Sequence, residues 1–259
     1  TVTPGIYYPS PAEGGEPQFT YSNALEYGLA KIGDNVYFTV PVTTESTGAS
    51  AIYKLTFSEW GYPAGEKESQ ELVRIDLQAN GENRQASLAI LGLEPVGDKL
   101  ALLAVVDGYL KIIGYDSESG RLWGEAELPD FRVTGSKSGQ ADAGDAHREA
   151  YEAYSSPNDR ILNIGFGISG HPGKQSLLSV DFTDGVKVIE RAEADYGGFE
   201  EDDFSGVAAM KHRDGKLYVA KTLREPEREG DRFLYDIVRP KHFFIYVYER
   251  GRLIYKGEL

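Results

Sequence analysis

Four times along this chain a short polar turn is followed by the same kind of strand. The four are Gly33-Asp34-Asn35-Val36-Tyr37-Phe38, Gly97-Asp98-Lys99-Leu100-Ala101-Leu102, Asn158-Asp159-Arg160-Ile161-Leu162-Asn163 and Asp214-Gly215-Lys216-Leu217-Tyr218-Val219. The first apolar residues of these strands, Val36, Leu100, Ile161 and Leu217, recur at intervals of 64, 61 and 56 positions. A near-constant period of this length marks a repeat architecture in which no unit buries its hydrophobic faces without its neighbours.

Within each period, alternation and turn residues divide the sequence into four strands. In the second unit they run over 87–96, 99–106, 109–116 and 121–128, with Gly97-Asp98, Asp107-Gly108 and Ser117 to Gly120 as turns. Asp-Gly and Gly-Asp pairs supply the positive φ that tight antiparallel hairpins demand, so the strands of a unit pair sequentially. The other units copy the plan over 24–77, 148–192 and 207–259, and residues 1–23 form an N-terminal extension. The stretch Ala143 to Ser156 has the composition of a short helix as well as of a first strand.

Tandem four-stranded antiparallel sheets make the blades of a β-propeller, in which a ring shields most strand edges. A sandwich of hairpins is the alternative, but sandwiches rarely repeat their turn chemistry at fixed intervals. The expected fold is therefore all-β: one β-propeller domain over 1–259 with four visible blades. The ring either closes with these four or belongs to a larger ring completed by other sequence or a second chain.

The second unit also carries a resemblance. Asp107-Gly108-Tyr109-Leu110, Tyr115-Asp116, Ser119-Gly120-Arg121-Leu122-Trp123 and Leu128 resemble the pyrroloquinoline-quinone-type propeller repeat, whose pattern is Asp-Gly-x-Leu, Leu-Asp, Thr-Gly and Trp. The resemblance covers one repeat, with Ser119 in place of the family threonine. Such repeats occur in quinone-dependent dehydrogenases and in cofactor-free scaffold propellers, including lipoproteins of the bacterial envelope. Many of the dehydrogenases set a pair of adjacent cysteines against the quinone, and this chain has no Cys, so the resemblance implies the scaffold branch and an extracytoplasmic location, either periplasmic, secreted or lipid-anchored.

Charge and composition limit the partners. With 27 Lys+Arg against 41 Asp+Glu the net charge is −14, which disfavours nucleic acid and anionic membrane surfaces. The lack of Cys removes disulfides, zinc-thiolate sites and thiol catalysis. No apolar run approaches the roughly 18 residues of a transmembrane helix. The chain starts at Thr1, so a signal peptide, if there is one, precedes it.

Several short motifs have simpler structural explanations. Gly165-Phe166-Gly167-Ile168-Ser169-Gly170 has the glycine spacing of a dinucleotide loop, but a strand follows it where that loop opens a helix. His147-Arg148-Glu149 matches half of a deaminase signature whose zinc needs cysteines. Asp181-Phe182-Thr183-Asp184-Gly185 has the look of a calcium loop placed where a hairpin turn belongs. Glu200-Glu201-Asp202-Asp203 offers oxygens to Ca²⁺. A charge run of this kind is usually a solvated loop, and no cofactor is expected.

The strongest functional signal is loop asymmetry. With strands lettered A to D, the A–B turns are short. The D–A connections Pro129 to His147 and Glu193 to Gly206, and the B–C connections Ser169 to Gln175 and Lys221 to Lys241, are long and share one face of the ring. Long loops on a rigid face are where binding sits. That face carries the candidate binding residues Arg132, His147, His171, Lys174, Tyr196, Tyr235 and His242. The expected function is non-enzymatic recognition of a protein, peptide or glycan. The alternatives are a carboxylate-dependent glycan-cleaving or lactonase-type enzyme, since paired carboxylates converge only in the fold, and a structural subunit of a larger complex.

Overall fold

A computed structural model describes residues 28–40, 51–56, 70–75, 88–133, 148–155, 159–168, 171–196, 206–223 and 242–259. These residues form sixteen strands in four sheets. The first sheet holds β1 (Leu29–Ile32), β2 (Asn35–Val40), β3 (Ala51–Thr56) and β4 (Gln70–Arg74); the second holds β5 (Leu88–Val96), β6 (Lys99–Val106), β7 (Tyr109–Asp116) and β8 (Leu122–Arg132). The third comprises β9 (Arg148–Tyr154), β10 (Ile161–Ile168), β11 (His171–Asp181) and β12 (Lys187–Asp195); the fourth β13 (Gly206–Arg213), β14 (Lys216–Leu223), β15 (His242–Glu249) and β16 (Arg252–Glu258). Each sheet is antiparallel with its strands in chain order. The fold is the all-β propeller of four-stranded blades that the repeat announced. No helix among the described residues is long and apolar enough to cross a membrane.

Turn chemistry sets the hairpins. Asp107-Gly108, Asp214-Gly215 and Arg250-Gly251 have φ of 52° and 85°, 51° and 73°, and 51° and 77°, the double left-handed conformation that lets two residues reverse a twisted ladder.

The blades bury their faces on one another. In β6, Leu100 and Leu102 pack on the first sheet with Tyr37 and Ile52, while Ala101, Leu103 and Val105 pack on the third with Leu162, Ile164 and Phe166. Because both faces are covered, β6 is a continuous apolar run and does not alternate. A third cluster joins Leu177, Ala192 and Ala194 of the third sheet to Leu217, Val219 and Tyr246 of the fourth. Approach is close enough at Gly92 that a Cβ there would collide with the Tyr151 hydroxyl of the next blade.

Polar contacts between blades reinforce this packing. The Lys54 ammonium binds Glu118 at 2.8 Å, the Trp123 indole N–H donates to the Phe182 carbonyl at 2.8 Å, and Arg191 holds Asp130 at 2.6 Å. Glu190 accepts the Arg250 and Gly251 backbone N–H groups, at 3.0 and 2.6 Å, from the last turn of the fourth blade.

The register corrects one reading of the repeat. Ile161 pairs with Asp181 as Lys99 pairs with Asp116, and the Phe182 N–H reaches the Arg160 carbonyl as Ser117 reaches Asp98. The counterpart of Leu100 in the third blade is therefore Leu162, not Ile161. Pairing of Asn163 with Tyr154, against Ala101 with Glu94, shows the cause: the A–B connection of that blade is two residues longer.

Candidate functional site

The long-connection edge is assembled from strand ends. Arg132 closes β8 opposite Tyr109, and its guanidinium carbon lies 5.7 Å from the centre of the Tyr109 ring. The next residue locks that end, since the Val133 N–H donates to the Gly108 carbonyl at 3.0 Å. In the third blade Lys174 faces Asp195 across the β11–β12 ladder, and their charges approach to 3.5 Å with both side chains largely in solvent. His171, also exposed, opens β11 opposite Ile168. Three of the candidate binding residues are thus exposed polar groups mounted on paired backbone.

The B–C connection of the third blade differs from its expected length. Residues 171–175 belong to β11 rather than to a loop, and the ladder accommodates them with a bulge at Gly167/Ile168.

Tyr196 does not lie on the surface. It is 2% exposed, set edge-on against Tyr246 at 5.0 Å, and its hydroxyl donates to the Gln175 side chain at 3.2 Å. The residue directly follows β12, and the Tyr196 N–H bond to the Gly173 carbonyl turns the ring into the interface of the third and fourth blades. Above that ring, at 3.9 Å, sits the buried Lys221 ammonium. Burial pulls Lys221 down to about 8, opposed by the charge of Glu152, and burial pushes the Tyr196 phenol well above its ordinary range.

A second feature lies nearer the tight turns. Glu94, Pro95, Tyr154, Asp159, Asn163 and Lys211 line a cleft of about 360 Å³ between strands of the second, third and fourth blades. The Tyr151 hydroxyl donates to Glu94 at 2.8 Å. Burial raises the Glu94 pKa and the Tyr151 bond partly offsets it. Asn163, 3% exposed, accepts from the Ser179 hydroxyl at 2.8 Å and turns its amide nitrogen toward the Met210 carbonyl at 3.5 Å. The Lys211 ammonium stands 3.6 Å from Asp159. Loop length gave no sign of this cleft, because its walls are strands about 60 residues apart in sequence. The available signal was Asn163 itself, a polar residue interrupting the apolar run of β10.

His147 and Tyr235 fall outside the described residues, as does the acidic run Glu200 to Asp203; His242 opens β15 opposite Leu223. Asp181 to Gly185 is a hairpin turn in which the Thr183 N–H donates to the Asp181 carboxylate at 2.8 Å. The Gly165 to Ile168 segment is strand. Among the described residues no three His, Asp or Glu side chains are grouped to hold a metal ion.

No protein family's sequence profile matches this chain, and no curated protein matches it. Solved structures of similar outline include a prolyl endopeptidase (14% identity, 79% of this chain and 25% of that one, TM-score 0.37). An exo-β-1,3-galactanase from Clostridium thermocellum matches at 9% identity over 90% of this chain and 48% of that one, TM-score 0.39. The β-propeller domain of Nup133 from Vanderwaltozyma polyspora matches at 12% identity over 79% of this chain and 56% of that one, TM-score 0.37. The chain spans a quarter to just over half the length of these proteins.

Proposed function

We propose that the protein is a non-enzymatic recognition propeller that binds a protein, peptide or glycan across its long-connection edge. The observation that carries this reading is the common placement of Arg132, His171 and Lys174: exposed side chains at one end of neighbouring blades, each on a strand end already held by its ladder. Such groups lose little freedom on binding, because the backbone beneath them is ordered beforehand. The Arg132 and Lys174 cations, on a chain of net charge −14, suit a ligand that presents carboxylates.

The cleft supports a second reading, a ligand held between the inner strands by Glu94, Asn163 and Lys211. A carboxylate-dependent enzyme has weaker support, because both cleft carboxylates are already engaged, Glu94 by Tyr151 and Asp159 by Lys211. Following the scaffold branch of the family resemblance, we also assign the protein an extracytoplasmic location, which fractionation of the source cells would test.

The binding test compares three sets of substitutions, with the partner first captured by cross-linking to the intact protein. Arg132→Ala with Lys174→Ala is expected to weaken binding by about tenfold or more, whereas the tight-turn controls Asp34→Ala and Lys216→Ala leave it unchanged. Loss confined to Glu94→Gln with Asn163→Ala would move the site to the cleft. Lys99, though in a tight-turn motif, is unsuitable as a control because it is only 6% exposed.

A further inference from the structure

We infer that the two end blades of this chain are the two halves of one more blade interface, and that a second copy closes it head to tail in a ring of eight blades. Each blade uses the same positions to pack on the blade before it. In the second blade these are Leu93, Leu100, Leu102, Ile113 and Tyr115; in the fourth they are Met210, Leu217, Val219, Tyr246 and Tyr248. All ten are buried against a neighbour.

The cross-strand register assigns the same positions in the first blade to Leu29, Val36, Phe38, Tyr53 and Leu55. Every one is apolar. Yet Leu29 is 69% exposed, and the other four are only partly covered. Phe38 and Tyr53 stack on each other at 5.5 Å, making a flat aromatic surface on a face that the second blade does not use. The face toward the second blade is instead built from Ala30, Tyr37 and Ile52.

The fourth blade shows the opposite end of the series. The positions that in the second blade receive the third, among them Ala101, Leu110 and Ile112, become Tyr218, Phe243 and Ile245 by register. Tyr218 is 39% exposed, Phe243 43%, and Tyr255 on the adjoining edge strand 56%. Among the described residues, three buried clusters link the sheets in the order first, second, third, fourth, and none of the three joins the fourth to the first.

Among the described residues the stack therefore ends with a receiving face on the fourth blade and a docking face on the first, the docking face bearing the apolar positions that the second and fourth blades bury against a neighbour. A second copy offers each open face the partner for which its pattern is built. Two such contacts, made reciprocally, bring eight blades into one closed ring, the upper end of the four to eight usual for propellers, whereas three copies would make twelve.

Light scattering on the full chain tests this, with Phe243→Asp and Phe38→Asp as single variants. The unchanged protein is expected at about twice 28.5 kDa, and each variant at the monomer mass with its cooperative melt retained. Mixing the two variants leaves one intact contact per pair, so a heterodimer is expected only in the mixture. A monomer at about 100 µM, a variant that remains dimeric, or a mass that grows with concentration without limit overturns the proposal. Should either charged variant fail to fold, Tyr255→Cys gives a single thiol in a chain that has none. Its labelling is expected to slow by about tenfold or more on going from dilute to concentrated protein, and a rate independent of concentration overturns the proposal equally.

Discussion

The Lys99 ammonium lies 4.5 Å from the centre of the Trp123 ring. The same nitrogen holds Asp116 at 2.9 Å and Asp98 at 3.0 Å. Burial works to lower the Lys99 pKa, but the hydrogen bonds to the two carboxylates outweigh it and hold it above the ordinary lysine value. Trp123 in turn reaches into the third blade through Phe182. One buried charge thus ties an intrablade turn to the junction between blades.

Asp116 is the acid-sensitive member of this group. The Ser119 hydroxyl and N–H, followed by Lys99, hold its carboxyl far below the usual carboxylate range. A depressed pKa contributes stability that is present above the unfolded value of about 4 and is lost as pH falls through the folded one. Asp116→Asn is expected to be less stable than the parent by about 1–3 kcal/mol at pH 7. In urea titrations the difference should shrink steadily below about pH 4.

Lys221 gives the opposite pH signature. Its folded pKa of about 8 lies below the unfolded value of about 10.4. Between those values the unfolded chain binds the proton and the folded one does not, so stability should rise with pH. The rise is expected from about pH 8 until the buried tyrosines, whose phenols are held high by burial, begin to oppose it near pH 10. Chemical denaturation of Lys221→Met across the same range should show no such rise.

Glu190 tests the junction between the last two blades. Its carboxylate, 5% exposed, accepts two backbone N–H groups of the turn that closes the fourth blade. Glu190→Gln removes the charge from both bonds and is expected to cost about 1–3 kcal/mol in thermal or urea unfolding.

Two leucines separate the interior from the edge of the stack. Leu103 is wholly buried between blades, whereas Leu253 is 48% exposed on the last strand. Truncation of Leu103 to Ala is expected to cost about 2–5 kcal/mol, and Leu253→Ala within about 0.5 kcal/mol.

What was legible in the sequence follows the range of the forces involved. Strand β6 could be read because burial on both faces leaves an unbroken apolar run, and the hairpins because Asp107-Gly108 and Asp214-Gly215 need φ values that few residue types supply. The equivalence of Leu162 with Leu100 could not be read: it depends on the length of an A–B connection, which the ladder reveals and local composition does not. Tyr196 sits at a strand end that sequence alone places equally well in a loop, and only packing against Tyr246 and Lys221 puts it inside. The cleft of Glu94, Asp159 and Lys211 depends on how three blades meet, which no local pattern encodes.

The order in which the blades stack is the central claim, and zero-length carbodiimide coupling tests it on the unmodified protein. An amide forms only where a lysine and a carboxylate are in contact, and Lys111–Glu127, 2.9 Å apart within one blade, serves as the internal control. The account predicts two interblade links in the peptide map. Lys54–Glu118 joins the first blade to the second, and Lys211–Asp159 joins the third to the fourth. Formation of the Lys111–Glu127 link without either interblade link would contradict the stacking.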